Sequence, residues 1–82
     1  MSATIAACRA LNDLVDSAGA LCATAATKGN RERAERLAII GKQLDAARTR
    51  LVQDGDDYIP TAWAIIDAAR WALAMHRNGL NA

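Results

Sequence analysis

The stretch ATKGNRERAERLAIIGKQLDAARTRL, residues 26–51, decides the fold. Gly29 ends one helix, because glycine enters the left-handed conformation that closes a last helical turn without steric cost. Asn30 opens the next, since its side chain can accept a hydrogen bond from the unpaired amides of a first turn. Glu32 and Glu35 follow, where the positive end of the helix dipole favours acids. Leu37, Ile40, Leu44, Ala47 and Leu51 then recur at three- and four-residue steps, forming one apolar stripe along a helix. Glu32 and Arg36 stand in the favourable order for an i,i+4 ion pair, and Arg48 and Arg50 lie towards the C-terminal end. Asp54-Gly55 stops the run, so the pattern predicts a helix over about 31–53.

Upstream, the apolar positions Ile5, Cys8, Leu11, Leu14/Val15, Ala18, Leu21/Cys22 and Ala25 form a second stripe. Ser2 is its expected N-cap, which gives a helix over about 3–28. Downstream, a third helix is expected over about 58–78, with Asp57 as N-cap and Gly79 beyond its end. Pro60 would then sit in the first turn, where no amide proton is required. Gly19 and Gly41 interrupt sound helices at about 1 kcal/mol each relative to alanine, and close helix–helix approach is the expected reason. Two long helices joined by a tight turn make an antiparallel hairpin. The expected fold is all-α: a helical hairpin plus a third helix, three-helix bundle-like, as one domain over 1–82, with oligomerisation as a means of completing it.

Composition agrees. The chain has 82 residues and no phenylalanine, and alanine supplies 20 of its 43 apolar residues. Alanine is the best helix former, and the scarcity of β-branched and aromatic residues excludes a sandwich or barrel. Ten basic residues against nine acidic ones leave a formal charge of +1, so no large field draws nucleic acid or an anionic membrane. The longest apolar stretch, residues 60–75, contains Asp67 and Arg70, so no membrane span is expected. Without a basic, apolar leader the expected location is cytoplasmic. Cys8 and Cys22 lie fourteen positions apart on one predicted helix, roughly 21 Å, too far for a disulfide within the chain. They read as small, packed hydrophobes, with a bridge between two copies as the alternative.

Little of the sequence suggests catalysis, and neither a cofactor nor a metal is expected. His76, the single histidine, falls on the predicted apolar face of the third helix near its C-terminus, where a core histidine is the plainer reading. Ser2 and Ser17 have no nucleophile context. Asp54, Asp56 and Asp57 lack the further oxygen ligands of a calcium loop, because Tyr58-Ile59-Pro60 follows. Arg31, Arg33, Arg36, Lys42, Arg48 and Arg50 are interleaved with Glu32, Glu35 and Asp45, the pattern of a solvated, internally paired face. Nucleic-acid binding through them is the third reading in order of preference.

The third helix is the most informative. At 100° per residue with Asp67 at zero, Trp63 and Trp71 lie about 40° to either side, and Arg70 and Arg77 within about 80°. Ile65, Ala69, Ala72 and His76 lie opposite, as the expected core face. Both tryptophans are therefore expected on the polar side, and tryptophan with arginine on an exposed face is the composition of a binding hot spot. Trp63, Asp67, Arg70, Trp71 and Arg77, with Tyr58 as a further anchor, are the expected partner-binding residues. The run IIDAARWALAMHRN (65–78) resembles the last helix of small phage proteins that sequester cyclic nucleotides. The likeness covers one helix and includes no ligand-binding motif. The chain as a whole also resembles small helical phage inhibitors.

Three functions follow in order. The first is a non-enzymatic module that binds and occludes another protein, as a stoichiometric inhibitor or regulator. A dimer is the favoured homo-oligomeric state. The alternative is an oligomeric protein that sequesters a small ligand or nucleotide, and weak nucleic-acid binding comes third.

Overall fold

The hairpin turn forms as its residues dictate. In the computed structural model, which describes residues 2–79, α1 spans Ala3–Thr27 and α2 spans Arg31–Asp54. Gly29 takes a φ of 76°, and the Asn30 and Gly29 amides donate to the Ala25 and Ala26 carbonyls at 2.9 and 3.0 Å. This is the Schellman pairing that satisfies the last carbonyls of a helix. The side chain of Asn30 then accepts from the Arg33 amide at 3.2 Å. One residue thus closes α1 with its backbone and opens α2 with its side chain. Ser2 caps α1 by accepting from the Ile5 amide at 3.1 Å.

The start of the third helix differs from expectation. Gly55, with a φ of 62°, leads into a 3-10 turn over Gly55–Tyr58, and α3 spans Ile59–Arg77. Asp57 lies within that turn and does not cap α3, whose N-cap Tyr58 makes no side-chain capping bond. The turn is the physical reason, because it already supplies helical geometry and runs directly into α3. Pro60 sits in the first turn of α3, as expected.

Contacts between the helices fix their directions. Cys22 Sγ donates to the Ala34 carbonyl, Arg48 reaches Asn12, and Thr4 reaches Asp56. Positions fall along one helix as they rise along the other, so α1 and α2 are antiparallel. Arg33 lies against the C-terminal end of α3 and Arg50 over Tyr58 near its start, so α3 runs antiparallel to α2. The chain measures 40 × 19 × 17 Å, and its long axis is close to the roughly 37 Å of a 25-residue helix.

The core is thin. Its large, completely buried side chains are Leu11, Leu37, Leu44, Leu51, Ile66 and Leu73, and alanines 7, 18, 25, 47, 62 and 69 fill the spaces between them. Cys8 and Cys22 are free thiols, half-buried against this core. Ile5 departs from the predicted stripe. It is 49% exposed, and Ala7 takes the inward position in that turn. No helix among the described residues is long and apolar enough to cross a membrane.

The two mid-helix glycines do not serve close packing. A Cβ at Gly19 would meet nothing within 4 Å, and one at Gly41 would meet Ala18 Cβ at 3.8 Å, an ordinary contact. Gly19→Ala should therefore raise the free energy of unfolding by about 1 kcal/mol in urea titrations. Gly29→Ala, forced into a left-handed conformation, should lower it by about 1–2 kcal/mol.

Candidate functional site

The phase of α3 sets which side chains it presents. Its buried residues are Ala62, Ile66, Ala69, Leu73 and His76. At 100° per residue their mean direction is about 50° from that of Ile65, Ala69, Ala72 and His76, the face expected from the sequence. The two tryptophans consequently separate. Trp71 lies about 180° from the core direction and is 64% exposed. Trp63 lies about 100° from it, half-buried and packed against the core cluster. The expectation that both face away from the core is corrected for Trp63.

Around Trp71 the neighbouring side chains are small. Ala64, Ala68 and Ala74, at three- and seven-residue offsets on the same side of the helix, are all exposed. Asp67 lies one turn before Trp71 and faces Arg70 at 3.8 Å. Both side chains are mostly solvated, so this pair adds little stability. The Arg70 guanidinium also lies 5.8 Å from the centre of the Trp63 ring, a cation–π distance. Trp63, Asp67, Arg70 and Trp71 thus form one continuous surface.

Tyr58 and Arg77 do not join it. Tyr58 is half-buried on the α2 side of the bundle, with the Arg50 guanidinium 5.5 Å from its ring centre. It stands at one end of an open apolar groove of about 570 Å³ between α2 and α3, lined also by Ile40, Leu44, Ile65 and Ala72. Arg77 borders a separate pocket at the opposite end of the bundle, together with Lys28, Arg33 and His76.

His76 is 4% exposed, as its place on the predicted apolar face implied. Neither ring nitrogen has a hydrogen-bond partner. Burial lowers its pKa below the ordinary 6.5, and the nearby guanidiniums of Arg33 and Arg36 lower it further. Arg33 is a residue whose role the sequence reading missed. Its guanidinium donates to the carbonyls of His76 and Gly79, both at 3.0 Å, and so satisfies the C-terminal end of α3. The available signal was an arginine in a first helical turn, where the dipole disfavours cations unless they serve another element.

The basic residues of α2 are largely engaged within the chain. Arg36 pairs with Glu32 at 2.6 Å, Arg50 with Asp54 at 2.9 Å, and Arg48 with Asp45. The predicted Glu32–Arg36 pair is among them. No group of three or more metal-ligating side chains occurs among the described residues. No family model, curated protein or solved structure matches the chain. The geometry alone therefore carries the functional argument.

Two outcomes check this arrangement. Trp63→Ala should cost about 2 kcal/mol of stability, whereas Trp71→Ala should stay within about 0.5 kcal/mol of the parent in denaturant titrations. For His76 the folded pKa lies below the unfolded value of 6.5. The unfolded chain therefore binds the proton first, and stability falls as pH drops through 6.5 towards the folded value. The melting temperature of the parent should decline across that window, while His76→Gln should show a flatter profile.

Proposed function

We propose that the protein is a non-catalytic interaction module that binds another protein stoichiometrically, with the outer face of α3 as its contact. The observation that carries this reading is Trp71, an indole 64% exposed on the side of α3 opposite the core. Large aromatic side chains gain free energy by leaving water, and tryptophan and arginine dominate the energetics of protein interfaces. The exposed alanines beside Trp71 support the reading, because small side chains let a second surface approach closely. Arg70 supports it too, since a solvated guanidinium 3.8 Å from Asp67 can exchange that partner for a better-placed carboxylate. The fitting partner offers an apolar pocket for the indole with an acidic group beside it. Binding would occlude that surface or alter the partner's assembly. Self-association through the same face is the homomeric form of this reading, and sedimentation across a concentration series reads it out.

The test is capture from an extract of the source cells on the immobilised chain. Val52, 74% exposed on α2, provides the control position. The parent and Val52→Ala should hold the same protein, and Trp71→Ala should weaken that binding by about 2 kcal/mol, roughly thirtyfold. Equal retention by Trp71→Ala would exclude the α3 face as the contact.

A further inference from the structure

We propose that the pocket between the C-terminal ends of α1 and α3 and the start of α2 binds a small organic oxyanion. The anionic group would sit against the His76 imidazole between Lys28 and Arg77. Three observations converge on this site, which is separate from the Trp71 face.

The first is the imidazole itself. His76 is 4% exposed, and both of its ring nitrogens are buried without a hydrogen-bond partner. A neutral imidazole has one donor and one acceptor, and a buried polar group left unmet costs about 1–3 kcal/mol. Buried polar groups nearly always find a partner, so an isolated one that borders a pocket points to a group that enters it. Both nitrogens lie beneath the pocket wall that His76 helps to form, so an oxyanion would take the ring N–H as a donor once the ring turns towards it.

The second is charge. The pocket is bordered by Lys28 from α1, Arg33 from α2 and Arg77 from α3, and no carboxylate borders it among the described residues. Arg36 of α2 lies close enough to influence the imidazole. Arg33 is held in place by its bonds to the carbonyls of His76 and Gly79, so it contributes a fixed positive wall. Lys28 and Arg77 are exposed and can turn towards a ligand. Cations on three elements repel a metal ion and concentrate an anion.

The third is shape. The pocket measures about 490 Å³, within the range of small-molecule sites. Leu21, Ala25 and Leu37 give it an apolar wall beside the charged rim. That division suits a phosphate or carboxylate carried on a short apolar body better than a bare inorganic ion.

His76 is the only histidine in the chain, so its ring protons give an unambiguous NMR signal. The test follows that signal at neutral pH as phenyl phosphate is added. Potassium chloride at equal ionic strength and phenol at equal concentration serve as controls. The proposal predicts a saturable shift with phenyl phosphate only. It also predicts that the Lys28→Ala/Arg77→Ala double variant, altered at two exposed positions, raises the half-saturating concentration about tenfold or more. No saturable shift, the same shift with chloride or phenol, or undiminished binding by the double variant would overturn it.

Discussion

The joint at Gly29–Asn30 is the constraint on which the rest of the structure depends. Gly29 takes the left-handed conformation, Asn30 closes α1 through its amide, and the same residue caps α2 through its side chain. A turn this short, with an apolar stripe on each helix to bury, lays the two helices of about 24 residues side by side and antiparallel. It also places Lys28, at the end of α1, and Arg33, in the first turn of α2, at the end of the bundle where α3 finishes. Arg33 then bonds the last carbonyls of α3. The joint therefore positions both the hairpin and the basic pocket around His76.

A second consequence concerns the sparse core. Alanine lines much of each interior stripe, and among the described residues only six large side chains are completely buried. Alanine adds little buried apolar area, so each leucine and isoleucine accounts for a large share of the stabilisation. In such a chain an indole facing outward is a large side chain left out of the packing. Trp63 is half-included and Trp71 is left out. This contrast is the structural basis for proposing the outer face of α3 as a contact surface.

The all-α class, the turn at Gly29–Asn30, the caps at Ser2 and Asn30, the stripe of α2 and the burial of His76 were legible in the sequence. Each rests on a local rule with a single solution. The phase of α3 was less legible. Its alanines are distributed so widely that both Ile65-Ala69-Ala72 and Ala62-Ile66-Leu73 read as an apolar face. Only packing against the hairpin selects the second, and the choice separates Trp63 from Trp71. Helix face groups Arg77 with the tryptophans, and proximity to the helix start adds Tyr58, yet the two lie at opposite ends of the bundle. The pairing of Arg33 with α3 was hidden because it joins positions far apart in sequence. Mid-helix glycines in the sequence suggest close packing, whereas Gly19 and Gly41 each have room for a methyl group.

The helix α3 turns Trp71 outward while Trp63 packs inward. Acrylamide quenching of tryptophan fluorescence tests this most directly, applied separately to Trp63→Phe and Trp71→Phe in dilute solution. The Trp63→Phe variant, which retains Trp71, should quench nearly as readily as free indole. The Trp71→Phe variant, which retains Trp63, should be clearly protected. Equal protection of both tryptophans in the isolated chain would rule out an outward Trp71 beside an inward Trp63.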